Sequence, residues 1–207
     1  MRDINRLVEV TEGNERLTAA TGVMLVLMLA AVGVTIINLR LLIWEHLFIG
    51  LLVIGPVALK LATTGYRFAR YYTGNQAYVR RGPPPIVLRV IAPFLVATTL
   101  LVLASGVVLL LAGPSSRGTF FPIHKISFIV WLGFVGLHIL CHLPSLPRAL
   151  GGDYGARADS RGYLPGRGAR VITLAGAVAA GFVLAIVLVS HFGAWSSAPA
   201  VFHHHHG

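Results

Sequence analysis

Five apolar runs, at roughly 17–39, 42–62, 86–112, 121–143 and 171–192, occupy most of this sequence and leave it few ways to fold. A hydrocarbon layer about 30 Å thick takes about 20 residues of helix at about 1.5 Å per residue, and each run reaches or approaches that length. Backbone N–H and C=O groups find no water in lipid, so each run must satisfy them internally, as a helix. The expected fold class is therefore all-α, an integral membrane bundle of five transmembrane helices. Composition agrees: 56% of the 207 residues are hydrophobic and 12% are charged, too few charges to cover a soluble domain of this length.

The charge that remains is basic, formally +10, and its placement is more informative than its size. Arg67, Arg70, Arg80 and Arg81 follow the second run with no acid among them. Arg148, Arg157, Arg161, Arg167 and Arg170 follow the fourth, offset by Asp153 and Asp159. The alternate loops carry only Arg40 with Glu45, and Arg117 with Lys125. By the positive-inside rule the two arginine-rich loops are cytoplasmic, which puts the N-terminus inside and the C-terminus outside a cell (plasma) membrane crossed several times. This is a topology signal, so lipid is an expected partner and nucleic acid is not. The first run is expected to be a retained span rather than a cleaved signal peptide, because the region before it holds Asp3, Glu9, Glu12 and Glu15 and no small-residue cleavage site. The organisation expected is a cytoplasmic segment at 1–16, a four-span core at 17–143, a cytoplasmic Arg/Gly loop at 144–170, a fifth span at 171–192 and an extracytoplasmic tail at 193–207.

The fourth run, "FPIHKISFIVWLGFVGLHILCHL", carries His124, His138 and His142 among residues suited to hydrocarbon. Fourteen residues separate His124 from His138, which is about 21 Å along a helix and within about 40° of one face. Ionisable groups inside a bilayer are costly and usually face a partner within the bundle. The second run begins "LLIWEHLFIG", and under this topology His46 lies at nearly the depth of His124. Two neutral imidazoles on facing helices suit the two axial positions of a haem iron, and Gly50, one turn below His46, removes bulk where a porphyrin edge would lie. At the deeper level, fourteen residues after His46 stands Lys60, not histidine. His138 could then have His142 as its neighbour, a weak or missing sixth ligand, or no inner haem; the bare His138/His142 spacing also suits a transition metal but lacks a third ligand. The plainer readings make His142 and His191 interfacial, Lys60 a snorkelling cation at the inner boundary, and Gly22, Gly33, Gly106, Gly133 and Gly136 helix-packing residues. Trp44 and Trp195 read as interface anchors, and His203 to His206 as a tail outside any site. The single cysteine, Cys141, excludes an internal disulfide and an iron–sulfur cluster held by this chain alone.

A helix with two histidines fourteen apart, joined by a histidine at the outer end of an earlier helix, resembles the bacterial di-haem cytochrome b membrane subunits of formate dehydrogenases and nickel–iron hydrogenases. The stretch from "WEHLFIGLLVIGPVALKLATTGYRFARYYTGNQAYVRRGPPP" to "HLP" also resembles actinobacterial membrane proteins of the cytochrome b type. The resemblance covers 17–143 and leaves the fifth span additional. It implies haem b, with His46 and His124 as axial ligands of an outer haem and His138 as one ligand of an inner haem. That family takes its other inner ligand from the first span, where "LTAATGVMLVLMLAAVGV" has no histidine. The function implied is electron transfer from a membrane or extracytoplasmic donor, such as a quinol, to a partner oxidoreductase, as a subunit rather than a stand-alone catalyst. The competing expectation is a cofactor-free scaffold or assembly subunit whose arginine-rich loops bind a partner. A transporter is disfavoured because the spans hold almost no acidic residues and no paired broken helices.

Overall fold

The computed structural model describes residues 2–80, 82–83, 85–142 and 167–196, with nothing described for the side chains of residues 2–10 and 142. Within these the chain is helical, with no strand. The helices are α1 (Arg2–Ile37), α2 (Ile43–Leu52), α3 (Ile54–Tyr72), α4 (Gln76–Arg80), α5 (Ile86–Ala112), α6 (Arg117–His142), α7 (Arg167–Leu188) and α8 (Phe192–Ser196). Five stretches are long and apolar enough to cross a membrane: Thr11–Ile37, Ile43–Tyr72, Ile86–Ala112, Pro114–Cys141 and Arg167–Ser196. The chain is thus a multi-pass helical membrane protein, with large apolar side chains such as Leu27, Ile86 and Val187 turned outward to lipid. Most of the Arg/Gly loop and most of the C-terminal tail lie outside the described residues.

Three helix boundaries differ from those expected, each for a local reason. α1 begins at Arg2, so the N-terminal segment is continuous with the first span. Its Thr11 is buried and its Asn14 side chain donates to the Thr63 carbonyl of α3, which gives these polar turns a partner inside the bundle. The second span runs on to Tyr72, but in two pieces that meet at Val53. Pro56 has no N–H to return to the Leu52 carbonyl, and this interrupts the hydrogen-bond ladder one turn earlier. α6 starts at Arg117, before the expected Phe121, and follows a tight 3₁₀ turn at Pro114–Ser116 that Gly113 enters with a positive φ of 76°.

Packing falls into two antiparallel hairpins and a fifth helix. α1 lies along α2 and α3; α5 lies along α6, its most extensive neighbour; α7 lies along α2 and α3. Leu51 of α2, Leu110 of α5, and Ala185 and Phe192 of the last span form one apolar cluster, and Leu25, Val53 and Val57 form a second next to it. Phe192 is fully buried and stacks edge-on with Trp44 at 5.4 Å. The fifth span therefore supplies one wall of the core near the His46 end. Trp195 donates to the Leu110 carbonyl at 3.4 Å, while Trp131 is buried mid-span and donates to Thr99 at 3.0 Å.

Of the five glycines expected to pack helices, Gly22 and Gly106 each face a side chain of a neighbouring helix, and three do not. A Cβ added at Gly33, Gly133 or Gly136 would meet nothing within 4 Å. At Gly55 it would run into the Ala177 carbonyl of α7, and at Gly181 into the Leu52 carbonyl of α2. Gly181 thus lets α7 approach the very carbonyl that Pro56 has left without an intrahelical donor. Leucine at Gly181 or Gly55 is expected to lower thermal stability in detergent by about 1–3 kcal/mol or more, the usual range for overpacking. Gly133→Leu should stay within about 0.5 kcal/mol. Equal losses at the packed and open positions would refute the contact.

Candidate functional site

The two histidines expected to pair are carried by different hairpins. His46 is on α2, just past the 38–42 turn that reverses the chain from α1, and Thr35 of α1 lies across from it. His124 is on α6, just past the turn from α5, and Ser105 of α5 lies across from it. α5 also places Val107 and Leu110 against Leu47 and Phe48, the neighbours of His46. Both imidazoles are half-buried and stand towards the same end of the bundle.

Each ring meets a hydroxyl of the preceding helix through Nδ1. The Thr35 hydroxyl donates to the Val32 carbonyl at 2.6 Å, which uses its only proton. With that proton on the carbonyl, a ring N–H at His46 Nδ1 satisfies the 2.8 Å contact as well. The same count applies at His124, where Ser105 Oγ lies 3.0 Å from the Val102 carbonyl and 3.1 Å from Nδ1. Ser127, 3.3 Å from Ser105, directs its own proton to the His124 carbonyl at 2.9 Å. With Nδ1 as the donor in both rings, Nε2 would keep its lone pair, the tautomer a metal-ligating imidazole needs.

Two glycines shape the surroundings. Gly106 lies against the His124 ring, where a Cβ would stand 3.0 Å from Cε1 and force the imidazole to move. Gly50, one turn along α2 from His46, has nothing within 4 Å of where its Cβ would be, so that flank of the site is open. By chemistry alone, two imidazoles are a donor set of the kind a haem iron takes. Among the described residues no group of three or more His, Cys, Asp or Glu side chains could hold a metal ion.

The second level is built differently. His138 is half-buried on α6, about 21 Å along the helix from His124. Lys60 does not snorkel towards a surface. Its ammonium reaches sideways to donate to the Thr18 carbonyl of α1 at 2.7 Å, next to Gly22, where a Cβ would stand 3.0 Å from Nζ. The α1–α3 seam continues through Asn14 to Thr63 and the half-exposed Glu15–Arg67 pair at 3.8 Å. At the depth of Lys60 the first span presents Thr21 and Gly22, neither of them an iron ligand. His191 lies on a 3₁₀ turn at Val189–His191, exposed and apart from the paired imidazoles. The His142 side chain and His203 to His206 lie outside the described residues.

Thr35, Ser105 and Ser127 were not singled out from the sequence, and Gly106 was read there as a helix-packing residue. A readable signal existed for Thr35 and Ser105: each lies in the apolar run that precedes a histidine-bearing helix. Compared with models of protein families, with curated proteins and with solved structures, the chain matches none.

The tautomer assignment can be checked on the haem-free chain. Nitrogen-15 spectra of histidine-labelled protein in bilayers should report neutral, Nδ1-protonated rings at His46 and His124. The near-isosteric Thr35→Val should convert His46 to a mixture of tautomers and cost about 1–3 kcal/mol for the stranded donor. An Nε2-protonated His46 in the unaltered protein would contradict the arrangement.

Proposed function

We propose that this chain is a b-type cytochrome subunit of a bacterial cell membrane, of the kind that serves formate dehydrogenases and nickel–iron hydrogenases. It holds haem b between His46 and His124. What supports the reading is that two imidazoles from separate hairpins stand towards the same end of the bundle, each with Nδ1 beside a hydroxyl. Haem, when bound, supplies one-electron iron chemistry. The chain's own residues do the rest. Thr35 and Ser105 fix ring orientation, Gly106 and Gly50 leave room, and the surrounding apolar side chains exclude water.

In this reading the arginine-bearing ends face the cytoplasm, so the histidine pair lies near the extracytoplasmic side. Electrons pass between a membrane or extracytoplasmic donor, a quinol being the natural class, and a partner oxidoreductase that carries out the substrate chemistry. One haem is favoured over two, because Lys60 is committed to the Thr18 carbonyl and the first span offers no imidazole at the His138 level.

Reduced-minus-oxidised spectra with haem quantitation test this directly. Protein expressed with ample haem should give b-type Soret and α bands at about one haem per chain. His46→Ala or His124→Ala should abolish them, Gly106→Leu should lower haem content at least about ten-fold, and His138→Ala should leave it unchanged. No bands from the unaltered protein would leave the cofactor-free scaffold, with its arginine-rich loops as the partner-binding surface.

A further inference from the structure

Away from the histidines, α7 carries a shallow groove, open to the lipid side and edged by Met24 of α1, with a cavity volume of about 550 Å³. The two helices run parallel. Gly13 of α1 faces Arg170 of α7, the Arg170 guanidinium lying 3.6 Å from where a Gly13 Cβ would be. Eleven residues further along each chain come Met24 and Gly181, beside Phe182. Met24, Leu174, Ala175, Val178, Ala179 and Phe182 line the groove, and its walls are almost wholly apolar. From the level of Arg170 to that of Phe182 it extends about 18 Å at about 1.5 Å per residue, slightly more than half the thickness of a hydrocarbon core of about 30 Å.

The mouth of the groove has the opposite character. Arg170 reaches across from α7 to α1 there. Arg167 precedes it by one turn on the same face, and Arg16, one turn beyond Gly13, is exposed at the same end. A slot with apolar walls one leaflet deep, with guanidinium groups at its rim, is complementary to a single molecule: an acyl chain joined to an anionic head. Guanidinium groups match phosphate oxygens in a two-pronged geometry, and basic pockets between transmembrane helices recognise such lipids. A neutral isoprenoid chain would be suited by the walls but would have no use for the arginines.

We propose that the α1–α7 groove is a binding site for an anionic phospholipid, with one acyl chain along Met24, Val178 and Phe182 and the phosphate at Arg170, flanked by Arg167 and Arg16. The lipid would fill the gap between α1 and α7 and tie the start of the fifth span to the N-terminal helix. This site is independent of the histidine pair and stands whether or not haem is held there.

The full chain, purified in detergent and equilibrated with equal amounts of phosphatidylglycerol and phosphatidylcholine, tests it through the lipid retained per chain. Phosphatidylglycerol should be retained preferentially. Arg170→Gln should reduce that preference about five-fold without changing phosphatidylcholine, as expected for one arginine near a charged surface. The exposed Arg167→Gln offers the same readout with less risk to folding. Ala179→Trp, at a lipid-facing position, should block the groove and lower retention of both lipids. Unchanged retention in Ala179→Trp would overturn the acyl-chain assignment, and unchanged preference in both arginine variants would overturn the headgroup assignment. Displacement of the lipid by millimolar inorganic phosphate, with Ala179→Trp silent, would point to a plain phosphate site and also overturn the proposal.

Discussion

A hydroxyl inside hydrocarbon has one proton to give and two lone pairs to fill, and three such groups organise this bundle. Thr35, Thr99 and Ser105 each donate to a carbonyl three or four residues back on their own helix. Each also meets a ring nitrogen from a neighbouring helix: His46, Trp131 and His124 respectively. The device costs the helix little and converts an otherwise awkward polar group into an acceptor of known direction. Because lipid offers no competing water, these bonds also decide which face each ring turns to its neighbours.

The α5–α6 hairpin illustrates how the device is distributed. Ser105 meets His124 near one end, Thr99 meets Trp131 in the middle, and Phe94 stacks on Phe134 at 5.5 Å towards the other. These three contacts keep one antiparallel register along the pair, so the position of His124 is set by the whole hairpin and not by its own turn alone. On the other side of the bundle, α1 and α3 are joined by Lys60, Asn14 and Thr63, with Gly22 leaving space for the ammonium. The two ends of the protein thus differ in kind. The His46 end presents paired imidazoles, and the arginine end spends its buried cation on holding two helices together.

Much of this was legible from residue order. Five long apolar runs in a medium without water could only be helices, and the depth match of His46 with His124 followed from counting along them. Lys60 was legible as an intramembrane cation but not in its direction: a four-carbon stem reaches a surface or a neighbouring carbonyl equally well, and only the packing of α1 beside it selects the second. Three glycines were misjudged for a related reason. Gly33, Gly133 and Gly136 have the same chemistry as Gly55 and Gly181, and what separates them is which helix lies opposite, together with the carbonyl freed by Pro56.

Sequence alone therefore determined the class of fold, the number of spans and the presence of two imidazoles at one depth, because each follows from length, hydropathy and helical rise along a single chain. Tertiary structure decided the hydroxyl partners of those imidazoles, the commitment of Lys60 to α1, the place of the fifth span in the core wall and the groove beside α7. Each of these depends on which side chain another helix brings within about 3–4 Å, and contacts of that range are a property of the packed bundle, not of any one segment.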